Sequence, residues 1–96
     1  MKSEKEVEEF YKRLKEQLIS DTTWPAEYYY KFIIPASLDK IAEIEAIFDA
    51  TDAVITTRDS KTGKYTSLSI KVKLNSPDIV IEKYMEVSKI EGVISL

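Results

Sequence analysis

The sequence predicts an α+β fold in which a leading helix precedes a βαββαβ plait. Three observations predict it. Apolar residues recur at helical spacing in three separate stretches, 7–18, 38–48 and 80–87. Between and after those stretches lie β-branched and aromatic runs, and one of them, 67–74, alternates strictly between polar and apolar. Finally, 96 residues are one domain's length, burying roughly 60–65% of the surface that the unfolded chain exposes.

The elements follow in order. Ser3-Glu4-Lys5-Glu6 reads as a capping box, with Ser3 bonding to the first turn and Glu6 returning the contact. Val7, Phe10, Tyr11, Leu14 and Leu18 then form one stripe, while Glu8–Lys12 and Glu9–Arg13 pair across a turn on the wet face. A helix over about 4–19 follows, with an apolar face that needs something to lie against, and Asp21-Thr22-Thr23-Trp24-Pro25 ends it. Tyr28 to Ile34 reads as a strand between Pro25 and Pro35. Tyr28, Tyr30, Phe32 and Ile34 lie on one face and Tyr29 and Ile33 flank Lys31 on the other, which suits a central strand covered on both sides. Ser37 caps a second helix, whose inner stripe is Leu38, Ile41, Ile44, Ile47 and Phe48.

Ala53 to Arg58 is a short strand that turns at Lys61-Thr62-Gly63-Lys64, where Gly63 can take the positive φ of a hairpin bulge. The next strand points Leu68, Ile70, Val72 and Leu74 inward and Ser67, Ser69, Lys71 and Lys73 outward. Ser76-Pro77-Asp78 starts a third helix with a cap, a proline at the first position and an acid at the positive dipole end. Val80, Tyr84 and Val87 line its buried side, and Val93 to Leu96 supply a last short strand. After the leading helix the order is that of a ferredoxin-like plait, a four-stranded antiparallel sheet with two helices on one face. Right-handed crossovers place its first and third strands in the middle. The expected division is 1–22 for a helix packing on the domain and 23–96 for the plait.

Composition narrows the chemistry. The chain has no His and no Cys, which removes Ser–His and Cys–His nucleophiles, zinc sites of the usual N/S kind, Fe–S clusters and disulfides. Asp49 and Asp52 sit near a helix end, and Glu43 and Glu45 do not share a face, so no carboxylate pair is set for acid–base work. We therefore expect no catalytic residues, no metal and no cofactor. The start, MKSEKEVEEF, carries acids where a signal peptide needs an apolar run, and no stretch approaches the roughly 20 apolar residues of a membrane span. A cytoplasmic protein without a membrane partner is expected.

Net charge is −3, and its distribution is uneven. Residues 37–52 hold Lys40 against Asp39, Glu43, Glu45, Asp49 and Asp52, a balance of −4; residues 53–75 hold Arg58, Lys61, Lys64, Lys71 and Lys73 against Asp59, a balance of +4. These runs read either as two solvated faces or as a basic patch for an anionic partner. The sheet face away from the two helices would show Tyr65, Ser67, Ser69, Lys71 and Lys73 of the third strand beside Tyr29, Lys31 and Ile33 of the first. Its occupant is the leading helix, a second copy of the protein, or RNA. Against RNA, the run Lys64-Tyr65-Thr66-Ser67-Leu68 retains one aromatic where stacking on the third strand needs two or three. The turn Ser60-Lys61-Thr62-Gly63-Lys64 lacks the spacing of a phosphate loop. It reads as a solubilised hairpin tip or as an anion contact through Arg58, Ser60, Lys61 and Lys64.

Two runs carry a resemblance. Trp24-Pro25-x-x-Tyr28-x-Tyr30-Lys31, leading into the first strand, and Ser60-Lys61-Thr62-Gly63-Lys64-Tyr65-Thr66-Ser67-Leu68-Ser69-Ile70 resemble the corresponding runs of the YbeD-like family of small bacterial proteins. The similarity covers about 24–96. It implies a ferredoxin-like plait similar to the ACT regulatory domains, and singles out Trp24, Tyr28, Lys31, Tyr65 and Ser67. ACT domains bind amino acids at paired interfaces through a glycine-containing loop after the first strand; here that loop is Pro35-Ala36-Ser37-Leu38, without a glycine. The expectation is a small non-catalytic regulatory or protein-interaction module, self-associating or bound to another protein. The alternatives are an ACT-type sensor of an amino acid or anion acting in trans, and RNA binding.

Overall fold

The computed structural model describes residues 3–96. Its elements are α1 (Glu4–Asp21), β1 (Ala26–Pro35), α2 (Leu38–Ile47), β2 (Val54–Asp59), β3 (Tyr65–Leu74), α3 (Pro77–Ser88) and β4 (Ile94–Ser95). The strands form one antiparallel sheet in the order β2-β3-β1-β4. This is the expected α+β plait behind an extra helix, with β1 and β3 central.

β1 and β3 pair along their whole length, from Ala26↔Leu74 to Pro35↔Tyr65. Strand alternation sends the even-numbered residues of both to the helix side. There Tyr30, Phe32, Ile34, Leu68, Ile70, Val72 and Leu74 are buried, joined by Ile44 and Phe48 from α2 and its cap and by Val80, Ile81 and Val87 of α3. Aromatic rings fill the middle. Tyr30 lies 4.8 Å from both Tyr28 and Tyr84, edge-on to each, and donates its hydroxyl to the Val80 carbonyl at 3.0 Å. The hydroxyls of Tyr28 and Tyr84 share a bond of 2.8 Å. Burial pushes the Tyr30 and Tyr84 phenols well above the ordinary tyrosine range, with neighbouring Tyr84 and Tyr28 adding to the effect on Tyr30 and the Tyr28 hydrogen bond adding to that on Tyr84. Among the described residues, every buried side-chain N or O atom has a hydrogen-bond partner.

Several expectations are corrected. The second face of β1 is bare: Tyr29 is 68% exposed and Lys31 is exposed, so β1 is central but covered on one side only. α1 does not cross that face. It lies beside α3, with Tyr11 6.4 Å from Tyr84 and Lys15 paired to Asp78 at 2.6 Å. Its stripe is used in part: Tyr11, Leu14 and Leu18 are half-buried, whereas Val7 and Phe10 remain exposed. Ser3 accepts from the Glu6 amide at 3.3 Å, but the Glu6 carboxylate does not return the contact. Leu38 is 85% exposed rather than inward, because its helical phase lies about 100° from the midline between Ile44 and Phe48. Ser76 stands at the N-cap of α3 without a side-chain cap bond.

Two glycines hold positive φ, Gly63 at the hairpin and Gly92 before β4. At Gly92 a Cβ would stand 2.9 Å from Cγ of Pro35, so the segment entering β4 packs directly on the end of β1. Lys40 of α2 ties the same segment down by donating to the Glu91 carbonyl at 2.8 Å.

Candidate functional site

Register places the bare-face residues in rows across the sheet. Val54, Lys71 and Tyr29 form one row; Thr56, Ser69 and Lys31 the next; Arg58, Ser67, Ile33 and Ile94 the third; and Tyr65 stands beside Pro35 at the end. Tyr29, Val54, Ile94 and Tyr65 are all substantially exposed here. Cations are set among them: Lys31, Arg58, Lys71 and Lys73, with Glu27 bonded to Lys71 at 3.3 Å. That hydrogen bond, with the charge behind it, holds the Lys71 ammonium above its ordinary range. The acidic α2 lies on the other side of the sheet, and among the described residues no ion pair joins α2 to the basic strands.

One end of the face sinks into a shallow depression of about 360 Å³ lined by Ile33, Arg58, Asp59, Ser60, Tyr65 and Ser67. The hairpin builds it. The Ser60 amide donates to the Tyr65 carbonyl at 2.9 Å, the Ser60 hydroxyl accepts from the Tyr65 amide at 3.2 Å, and the Gly63 amide closes the turn on the Ser60 carbonyl at 3.0 Å. The Ser67 hydroxyl donates to the Arg58 carbonyl at 3.3 Å, and the Asp59 carboxylate accepts from Thr66 at 3.1 Å. Among the described residues, the Arg58 guanidinium has no ion-pair partner. A guanidinium fork beside hydroxyls and an apolar floor can hold an anion that carries an apolar body.

The nine residues singled out from sequence therefore divide. Arg58, Ser60, Tyr65 and Ser67 come together in the depression. Lys31 stands one row away in the open face. Lys61 and Lys64 are exposed at the hairpin tip, where the Lys64 carbonyl accepts from the Ala36 amide at 2.9 Å. Trp24 and Tyr28 belong to the opposite side. The Trp24 indole donates to the Leu18 carbonyl at 3.1 Å, so it latches the end of α1 to the segment just before β1, where the Trp24–Pro25 peptide is cis. Sequence reasoning missed Val54 and Ile94, because their place on this face depends on registers between strands rather than on any local spacing.

The Trp24 latch is testable. Trp24→Phe keeps an aromatic ring but removes the indole donor, and we expect a loss of about 1 kcal/mol, seen as a fall of roughly 4–8 °C in the midpoint. Amide exchange measured by mass spectrometry should quicken first over 15–21. Unchanged exchange there would remove the latch role.

Among the described residues, no cluster of three or more His, Cys, Asp or Glu side chains is placed to hold a metal ion, and no helix is long and apolar enough to cross a membrane. The fold and site define an α+β plait with one naked, cation-studded sheet face. The chain belongs to the family described as Protein of unknown function (DUF493), whose profile matches residues 20–96. That match spans the region on which the resemblance to the YbeD-like proteins rests, and leaves nearly all of α1 outside it. Neither the curated proteins nor the solved structures include a significant match.

Proposed function

We propose that the protein is a small, non-catalytic, cytoplasmic regulatory module that binds a protein partner through the bare face of its sheet. The observation that carries this reading is the exposed apolar set Tyr29, Val54, Tyr65 and Ile94 on that face. These residues fall in two groups, Val54 and Tyr29 either side of Lys71 and Ile94 with Tyr65 around Ile33, and exposed apolar surface set among polar groups supports an interaction site. Charge selects the partner's chemistry. Among the described residues, Lys31, Arg58, Lys71 and Lys73 share the face with Glu27 and, at the rim of the depression, Asp59, so a symmetric face-to-face dimer would set mostly like charges against each other, whereas a surface of acidic and apolar residues complements them.

A peptide library displayed on phage and selected on the immobilised protein tests this reading. Enriched peptides should combine Asp or Glu with aliphatic or aromatic residues. Their affinity should fall at least tenfold for the double variant Tyr29→Ser, Val54→Ser with little change in Tm. Peptides that bind the variant equally well, or no enrichment at all, would count against the face.

The depression around Arg58 favours a second reading, a sensor of small organic anions of the kind the ACT resemblance implies. A ligand at about a hundred times its Kd would add roughly 2.7 kcal/mol and raise Tm by on the order of 10 °C or more. A thermal-unfolding panel of amino acids, nucleotides and organic acids should then show one responding class, with the response lost in Arg58→Gln. RNA is the weaker outcome: Tyr29 and Tyr65 lie six register positions apart, about 20 Å along the strands, too far to stack successive bases. Steeply salt-dependent binding of homopolymer RNA would restore it.

A further inference from the structure

We propose that the bare face receives the last five residues of a partner protein, with the partner's terminal carboxylate on Arg58. The inference rests on the reading of that face as a protein-binding surface, and it names the part of the partner that binds: a free C-terminus whose alternate residues are apolar, acidic and apolar.

The rows across the face set the spacing. Each row lies two residues along the strands from the next, about 6.7 Å, which is also the distance between side chains on one side of an extended peptide. A peptide lying along the strands therefore sets every second residue over a successive row. The first row holds Arg58, Ser67 and Ile33, the second Thr56, Ser69 and Lys31, the third Val54, Lys71 and Tyr29. Their chemistry changes from row to row: a cation beside an apolar residue, a cation beside hydroxyls, then two exposed apolar side chains. Lys71, between those two, is already bonded to Glu27. Among the described residues, neither Arg58 nor Lys31 has an ion-pair partner. Two unpaired cations in adjacent rows call for anionic groups at alternate positions of the peptide.

The anion at Arg58 is a chain terminus for two reasons. The face stops there: β2 ends at Asp59 and β1 at Pro35, and β3 begins at Tyr65, so a peptide running along the strands meets its last full row at Arg58. That row opens into the depression of about 360 Å³, where Ile33 and Tyr65 stand beside the guanidinium. A C-terminal residue carries its carboxylate and its side chain on one carbon, and so meets the fork and the apolar wall together. An internal Asp or Glu would leave that wall without an apolar group to cover it. Asp59 at the rim does not occupy the fork; its carboxylate accepts from Thr66 at 3.1 Å. Capture of a C-terminal carboxylate is a recurring mode of peptide recognition. Read from the third row to the first, the geometry asks for apolar-x-Asp/Glu-x-apolar, ending in the free carboxylate.

The test titrates the full chain into two positional-scanning libraries of fluorescein-labelled octapeptides, one with free C-termini and one with C-terminal amides, and follows fluorescence anisotropy. The free acids should bind at least tenfold tighter. They should prefer an aliphatic or aromatic residue at the end, Asp or Glu third from the end, and an apolar residue fifth from the end. Arg58→Gln, at an exposed position, should erase the advantage of acid over amide, and Lys31→Gln the preference for an acid third from the end. Acids and amides that bind equally would overturn the proposal; if that binding is lost in the double variant Tyr29→Ser, Val54→Ser, the reading of the face survives without it. No binding by either library would also overturn the proposal, and the phage selection then decides the face reading separately. So would binding of N-acetyl-leucine as tight as that of the best octapeptide, since the occupant would then be a small anion.

Discussion

Raising the pH through 10 should unfold this protein progressively, with stability falling by up to about 2.7 kcal/mol per pH unit. The cause is Tyr30 in the core and the half-buried Tyr84 packed against it, the latter contributing the smaller share because water reaches part of its ring. Burial holds the Tyr30 and Tyr84 phenols protonated far above the value of 10.0 that they have when exposed. Above that value the unfolded chain releases two protons that the folded chain keeps. Their folded pKa values are raised, so the stability they contribute is complete below pH 10 and is lost as the pH climbs toward the folded values. Urea midpoints at pH 9, 10, 11 and 11.5 check this. Tyr84→Phe should remove the smaller share of the slope, because the Tyr30 phenol remains. A profile flat to pH 11.5 would mean that the rings are hydrated and the core is less closed than the packing around Tyr30 indicates.

The second large effect belongs to Phe32. It is 0% exposed and packs 5.6 Å from Tyr30 and 6.0 Å from Tyr84, on a central strand whose neighbours cannot collapse into the space it leaves. Phe32→Ala should cost about 3–5 kcal/mol, a large share of the roughly 5–15 kcal/mol that holds a domain together. The midpoint should fall by at least about 12 °C. Tyr29→Ala, three residues earlier and on the bare face, should stay within about 0.5 kcal/mol of the parent. The contrast isolates strand parity: similar losses for both variants would show that the bare face is covered in solution.

The elements were legible because local rules decide them. The alternation from Ser67 to Leu74 specifies both the strand and its inward face, and Ser76-Pro77-Asp78 marks a helix start whether or not Ser76 makes its cap bond. What failed was placement. Tyr29 and Ile33 are apolar, and an apolar residue on a strand reads the same whether a layer covers it or leaves it for a partner. The stripe on α1 shows that the helix packs but not where; its position beside α3 rests on Tyr11 meeting Tyr84 and Lys15 meeting Asp78, contacts between distant parts of the chain. The candidate site behaves alike. Arg58, Ser60, Tyr65 and Ser67 gather because one hairpin carries them all, so short spacing predicts their proximity. Trp24 and Tyr28 left the group because their partners, Leu18 and Tyr84, draw them to the other side of the sheet.

Trp24 is the only tryptophan in the chain, and its position at the joint between α1 and β1 separates two optical signals. Its fluorescence reports the environment of that joint, whereas the near-ultraviolet dichroism of Tyr28, Tyr30 and Tyr84 reports the packed interior. If the molecule melts as one cooperative unit, the two curves coincide. If α1 detaches first, the emission of Trp24 shifts at a lower temperature than the tyrosine signal, and the chain carries its own two-channel record of the order in which it comes apart.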